Sequence, residues 1–266
     1  MEPPPPFEWQ AQHDTLYFLT KGSAWKAPIV PPSFHNKGNQ IVSLSRLVKW
    51  LAEVAEERGV QILPDFPGAE ILYHESGAVR GVRTVDKGVD RQGKRKDNFE
   101  PGTDLLAPVT VFGEGSRGSV TKALSKRFQL DDGRNPQIYS TGIKELWKVP
   151  AGRLRPGEVI HTAGYPLSLW GNEFGGGFIY SFDNDHVALG LVVSLDSPDP
   201  TLDPHRLFSE WKAHPRVRQI LEGGELIRYG AKTIPEGGWC SLPRPYVAGA
   251  LLVGDSAGFQ NISRLK

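Results

Sequence analysis

Ala250-Leu251-Leu252-Val253-Gly254-Asp255-Ser256-Ala257-Gly258 is the stretch on which the fold turns. Four apolar residues give a buried-strand signal, and the chain then changes abruptly to small and acidic ones. A strand ending in Gly-Asp sets a carboxylate just past its carboxyl end, where open α/β sheets bind their ligands. That carboxylate can accept hydrogen bonds from a polyol, and the small residues after it let a flat ligand approach the backbone. A helix N-cap aspartate produces the same local pattern. The two readings are compatible, and the run of five small or acidic residues favours the ligand.

A related signal lies upstream. Val109-Thr110-Val111-Phe112 reads as a buried strand, and it runs into Gly113-Glu114-Gly115-Ser116-Arg117-Gly118. Ser119–Phe128 then carries Val120, Ala123, Leu124 and Phe128 at helical spacing. Gly113, Gly115 and Gly118 satisfy G-x-G-x-x-G between strand and helix, a turn that lets backbone N–H groups and a helix N-terminus approach a pyrophosphate. After this helix there is no second parallel strand ending in a ribose-binding acid, because Asp131-Asp132 lie in a polar turn. On spacing alone, a tight turn without a ligand fits equally well. A third candidate is Asn172-Glu173-Phe174-Gly175-Gly176-Gly177-Phe178. Three glycines between aromatics expose backbone groups suited to a carbonyl on a flat apolar ligand; a flexible hairpin tip is the commoner origin of such a run.

The remaining chain falls into two styles. Residues 1–40 hold many prolines and scattered aromatics (Tyr17, Phe18, Trp25, Phe34) without helical or alternating period, which predicts an extended, irregular segment. It either packs on its own domain or presents an apolar surface to a membrane or partner. Leu44, Leu47, Val48, Leu51, Val54 and Ala55 share one helical face, Gly59 supplies a stop, and Val60–Leu63 reads as a strand. Glu70–Glu75 and Ala78–Val85 form a hairpin signal around Ser76-Gly77, and the charged Asp86–Asn98 extends it. Beyond Asp132, Gln137–Lys148, Val159–Tyr165, Gly177–Phe182 and Val187–Leu195 predict a largely antiparallel sheet. Asp203-Pro204 opens a helix with Leu207, Phe208 and Trp211 on its apolar face, and Pro215–Leu221 forms another.

Composition narrows the function. The formal net charge is +1 over 266 residues, which leaves no basic face to neutralise nucleic-acid phosphates. One cysteine, Cys240, excludes an internal disulfide framework and a multi-cysteine metal site within these residues. No apolar run is long enough for a transmembrane helix, and the acidic, proline-rich start is unlike a signal or transit peptide. The seven histidines show no metal-ligand spacing, so no metal site is expected, and His161 and His186 read as structural or solvated. No G-x-S-x-G elbow supports a serine hydrolase.

Together these segments resemble the electron-transfer flavoprotein:ubiquinone oxidoreductase family, from about Leu16 onward. The resemblance rests on His35-Asn36-Lys37-Gly38-Asn39, Thr110–Gly115, Gly142-Ile143-Lys144-Glu145-Leu146-Trp147 and Phe174–Phe178. It continues through Ala188–Val193, Phe208–Pro215, Leu221–Gly224, Tyr229–Ala231 and Gly254–Phe259. It implies an α/β plus α+β chain: part of a Rossmann-like FAD-binding domain with an inserted, mainly antiparallel ubiquinone-binding domain. Residues 1–40 would be the irregular, membrane-facing segment. Residues 41–130 and 241–266 would belong to the FAD-binding domain, and 131–240 to the ubiquinone-binding domain. Gly113, Glu114, Gly115, Gly118, Gly254, Asp255, Ala257 and Gly258 would line FAD, with Asp255 on the ribityl or phosphate side. The Gly175-Gly176 backbone would hydrogen-bond the quinone head group. Tyr17–Phe34 and the turns at Tyr165–Phe178 would meet the membrane, mitochondrial in a eukaryote and cytoplasmic in a bacterium.

The implied activity is electron transfer from reduced electron-transfer flavoprotein to ubiquinone through FAD and a [4Fe-4S] cluster. Such chemistry needs no acid or base side chain, so no catalytic residue is expected. The family's N-terminal dinucleotide motif and cysteine-bearing C-terminal module have no counterpart in these residues, which predicts an internal piece, inactive alone. A flavin-dependent hydroxylase or isoprenoid reductase, and a non-enzymatic membrane- or quinone-binding remnant, remain alternatives.

Overall fold

The structure is a computed structural model and describes residues 4–168 and 174–260. In chain order its strands begin with β1 Phe7–Gln10, β2 His13–Leu19, β3 Ala24–Lys26, β4 Gln40–Val42, β5 Gly68–Tyr73 and β6 Val79–Thr84. They continue with β7 Lys87–Val89, β8 Arg95–Glu100, β9 Asp104–Leu106, β10 Thr110–Phe112, β11 Tyr139–Lys148 and β12 Glu158–Gly164. The last are β13 Gly175–Ser181, β14 His186–Ser194, β15 Glu225–Pro235, β16 Tyr246–Val247 and β17 Ala250–Leu252. The helices are α1 Leu44–Glu57, α2 Ser119–Phe128, α3 Pro204–Ala213 and α4 Pro215–Leu221. The chain divides into two compact units, one built from residues up to Gln61 and Ile138–Ile234, the other from Ile62–Gln137 and the segment from Pro235 onward.

The first unit is organised by a seven-stranded sheet in the order β15-β11-β14-β13-β12-β2-β3. The β11/β14, β14/β13, β13/β12 and β2/β3 pairs are antiparallel, and β12/β2 is parallel. Strand β14 is apolar and buried from Val187 to Ser194, as a central strand must be. Asp203 caps α3 by accepting from His205 N and Arg206 N, and Pro204 takes the first helical position. This helix buries Leu207, Phe208 and Trp211 against one sheet face, in a cluster with Ile160, Ile179, Leu189 and Leu191. Trp211 is wholly buried. Removing it and Phe208 from water contributes about 1.5–3 kcal/mol each.

The alternation of side chains fixes what each sheet face carries. Trp211 Nε1 donates to Thr162 Oγ1 at 3.0 Å, so Thr162 lies on the helix-covered face. A Cβ on Gly177 would overlap the Trp211 ring, which is why this strand position has no side chain. His161, Gly176, Phe178 and Tyr180 therefore share the opposite face.

The second unit holds the antiparallel sheet β5-β6-β9, the hairpin β7-β8 and a short sheet in the order β10-β17-β16. Strands β10 and β17 run parallel, with Phe112 opposite Leu252. Phe112, Val120, Leu124, Leu130, Ala250, Leu252 and Ala257 form its core with Val79.

Two local expectations are corrected. Residues 1–40 are not irregular throughout, because β2 is a full member of the large sheet with Thr15, Leu16 and Leu19 buried. Its partner, β12, is about 145 residues away by register, so no local pattern announces the pairing. Val60–Leu63 forms no strand, and Val60, Ile62 and Leu63 are exposed. Helix α1 exists as its period predicts, yet it has no buried residue, and Leu44 and Val48 are 70% and 61% exposed. Strand β15 is an element the hydrophobic pattern does not announce, since its first eight residues are exposed.

Candidate functional site

In the second unit the two glycine turns are brought side by side. The parallel β10/β17 register places them at the same end of adjacent strands, and Val253 N donates to Phe112 O at 3.0 Å. Ser256 Oγ donates to Gly115 O at 3.0 Å and ties one turn to the other. Gly254–Ala257 forms a single 3₁₀ turn, closed by Phe259 N donating to Gly254 O. Asp255 sits inside that turn and makes no capping bond, so it is not an N-cap. Among the described residues its carboxylate accepts no hydrogen bond, which leaves it available to a hydroxyl-bearing ligand.

Glu114 behaves differently. Its carboxylate accepts from Thr121 N at 2.5 Å, Thr121 Oγ1 at 2.6 Å and Val120 N at 3.4 Å. These are first-turn amides of α2, the groups that a glycine-rich turn would otherwise offer to a pyrophosphate. Gly118 makes this fold-back possible, because a Cβ there would overlap Glu114 Cβ. Gly113, Gly115 and Gly118 thus shape a turn whose helix end is internally satisfied. Its open flank lies at Gly115 and Gly254, where an added Cβ would meet nothing within 4 Å.

The first unit holds Gly175 and Gly176. They belong to β13, opposite Val193 and Val192 of β14, and not to a hairpin tip. Asn172 and Glu173 of that glycine-rich stretch fall outside the described residues, as do the central positions of the Tyr165–Phe178 turns. On the face shared with Gly176, His161 stacks on Phe34 with ring centroids 4.7 Å apart. Asp14 is the anchor of this corner: its carboxylate accepts from Asn36 N at 2.7 Å, Asn36 Nδ2 at 2.8 Å and Lys37 N at 3.1 Å. Asn36 Nδ2 also lies 3.3 Å from His161 Nε2. Burial lowers the His161 pKa from its ordinary value, and the nearby Asp14 charge opposes that only in part. On sequence alone His161 reads as structural or solvated. The available signal is the His35–Asn39 stretch, since it supplies Asn36.

The Gly142–Trp147 stretch builds β11. Glu145, buried on the helix-covered side, accepts from Trp147 Nε1 and Lys212 Nζ, each at 2.7 Å. At the β13–β14 turn, Asp183, Asp185 and His186 come together. Asp183 already accepts from Asp185 N, His186 N and His186 Nδ1, which accounts for the cluster as a turn. Among the described residues no helix is long and apolar enough to cross a membrane.

The fold is shared with solved structures of low sequence identity: a geranylgeranyl bacteriochlorophyll reductase-like protein from Thermoplasma acidophilum superposes with a TM-score of 0.67 at 14% identity, over 95% of this chain and 56% of that one. A flavin-dependent halogenase superposes with a TM-score of 0.57, also at 14% identity, over 94% and 43%. Sequence is more particular. Residues 139–234 match the family described as ETF-QO, ubiquinone-binding. The chain is 45% identical to the mitochondrial electron transfer flavoprotein-ubiquinone oxidoreductase of Dictyostelium discoideum, over 98% of this chain and 43% of the relative. It is 42% identical to the human mitochondrial protein of that name, over 98% and 42%, and to a probable one from Acinetobacter baylyi, over 98% and 46%. The chain is thus a relative of the electron transfer flavoprotein-ubiquinone oxidoreductases along nearly all of its own length, and spans less than half of theirs.

Proposed function

We propose that this chain supplies the quinone-binding sheet and the closing flavin segment of an oxidoreductase that passes electrons from electron-transfer flavoprotein to ubiquinone. The observation that carries the reading is the 45% identity over 98% of the chain, with the ubiquinone-binding family match falling on β11–β15. In this reading residues 131–240 hold the quinone domain, inserted between FAD-binding parts at 41–130 and 241–266. The Gly175-Gly176 backbone meets the quinone head group. Gly113, Gly115, Gly118, Gly254, Ala257 and Gly258 give FAD close backbone approach, Asp255 accepts from its ribityl hydroxyls, and Glu114 holds the first turn in shape.

The residues fit part of a flavin site, since two adjacent glycine turns leave space beside Gly115 and Gly254 and one carboxylate open. When bound, FAD supplies one- and two-electron redox chemistry; the chain's part is to position it and to set its surroundings. A four-cysteine iron–sulfur cluster does not fit these residues, which hold Cys240 alone. Phe18, Trp25 and Ile29, 40%, 67% and 78% exposed, would meet the mitochondrial inner membrane in a eukaryote or the cytoplasmic membrane in a bacterium. A hydroxylase or isoprenoid reductase shares the fold, but no observation favours either over the sequence relatives.

Titrating the chain with FAD and with the short-chain ubiquinone-1 tests the reading. Asp255→Ala should weaken FAD binding about tenfold, the order expected for one lost charge-assisted hydrogen bond, and leave ubiquinone-1 binding unchanged. Gly176→Val should do the reverse. Binding of neither ligand by the unmodified chain would overturn the assignment to these residues.

A further inference from the structure

Resting on the reading that the quinone head group lies at Gly175-Gly176, we propose that His161 Nδ1–H is the side-chain hydrogen-bond donor to a carbonyl of that head group. Three observations lead there. The first is register. His161 lies opposite Phe178 across the antiparallel β12/β13 pair, which makes Gly176, two residues earlier, its diagonal neighbour on the same sheet face. Diagonal neighbours of this kind stand ~7–8 Å apart at their backbones, within reach of a ring side chain. Gly176 adds no side chain there, and a Cβ at this position would press on Thr162 O at 2.9 Å.

The second observation favours one tautomer. An amide NH₂ is a donor only, and the Asn36 side chain is oriented by its contacts: Nδ2 faces Asp14 Oδ1 at 2.8 Å and Phe34 O at 2.8 Å, both acceptors. Those two contacts use both Nδ2 protons, and the same nitrogen, which cannot accept, lies 3.3 Å from His161 Nε2, so a proton on Nε2 would face no acceptor there and the lone pair is favoured at that position. That tautomer carries the ring proton on Nδ1. Burial lowers the ring's pKa, which favours its neutral form, with a single ring N–H, near neutral pH.

The third is that Nδ1–H has no hydrogen-bond partner among the described residues. Everything else about the ring is fixed. Phe34 stacks on it, Asn36 packs against Nε2, and Asp14 holds Asn36 through both its backbone N–H and its amide. A rigid imidazole with one committed nitrogen and one free donor, beside a glycine on an aromatic sheet face, suits a carbonyl acceptor on a flat ring. Phe178 and Tyr180 next to it, ring centroids 6.1 Å apart and nearly parallel, supply the apolar wall. A cationic or purely apolar ligand would leave the donor unmet, at a cost in affinity.

The experiment uses the whole chain and ubiquinone-1 carrying ¹³C at one or the other carbonyl, with binding followed by tryptophan fluorescence and the carbonyl stretch by infrared difference spectroscopy. His161→Phe keeps the stacking on Phe34 and removes the donor; His161→Gln restores an N–H. The expected result is about tenfold weaker binding for His161→Phe, with one carbonyl band returning toward its free frequency, and partial recovery of both by His161→Gln. Thermal melts identify a variant that fails to fold, and Asn36→Leu, which frees Nε2 without touching the ring, then serves instead by shifting the same carbonyl band. If Gly176→Val abolishes binding while His161→Phe and Asn36→Leu leave affinity and both carbonyl bands unchanged, the inference is wrong and the quinone reading stands. If Gly176→Val has no effect, the quinone does not lie there and the inference falls with it.

Discussion

Glu114 and His161 are each defined by what their polar atoms already touch. Glu114 spends its carboxylate on Thr121 and Val120, in the manner of a helix cap supplied from outside the helix. Glu114→Ala should lower stability by about 1–2 kcal/mol, the usual cost of a lost cap, seen as a lower melting temperature. Glu114→Gln, which keeps an acceptor oxygen, should lose less. A drop in FAD affinity without any loss of melting temperature would instead make Glu114 a direct ligand. His161 brings a pH dependence. Its folded-state pKa lies below its ordinary 6.5. Below pH 6.5 the unfolded chain therefore binds the proton more readily, and stability falls as pH drops from there toward the folded pKa. Melting temperatures measured from pH 7.5 to 5 should decline, and His161→Gln should flatten that part of the profile. An unchanged profile would show that the ring is not desolvated as the structure has it.

At the scale of elements, Glu145 joins β11 to α3. It is 7% exposed, and it meets both Lys212 and Trp147. Glu145→Ala strands the Lys212 charge beside the buried sheet face and should cost about 3 kcal/mol, read as a lower urea midpoint at unchanged slope. Adding Lys212→Met to that variant should recover part of the loss, because the uncompensated charge is then gone. Much at this scale is legible in the sequence. Helices α2, α3 and α4 show themselves by period and caps, and the antiparallel run β11–β14 by strand patterns separated by turns. The elements that the sequence conceals have a common cause. Strand β2 is made by β12, far along the chain, and β15 lies on an edge where exposed residues show no hydrophobic alternation. Val60–Leu63 shows the converse error: apolar residues predict a strand, and without a paired neighbour none forms. At the site, the glycine turns can be read because their residues are contiguous. His161 cannot, because its role depends on Asn36 and Phe34, which only the fold brings to it.

For the molecule as a whole, the membrane-facing part of the proposal rests on the β2–β3 hairpin and the chain just after it. Phe18 and Trp25 are cross-strand partners at the edge of the seven-stranded sheet, and Ile29 follows shortly. All three are exposed, although the burial of Leu16 and Leu19 in the same strand shows that apolar residues here can find a core. Their exposure is thus a property of the edge and not of a poorly packed strand. Each large apolar side chain moved fully out of water contributes about 1.5–3 kcal/mol. Since these three are already part-buried, insertion together would yield about 3–5 kcal/mol, enough for reversible attachment to a bilayer surface. Lys21 and Lys26 lie between them in sequence and would add to attraction toward anionic lipid. Co-sedimentation with vesicles of zwitterionic phospholipid should therefore show binding by the unmodified chain, strengthened by anionic lipid at low salt. Trp25→Glu with Ile29→Glu should reduce binding to zwitterionic vesicles at least tenfold while the melting temperature holds, because neither residue contributes to a core. Equal binding by that double variant would place any membrane contact elsewhere on the protein.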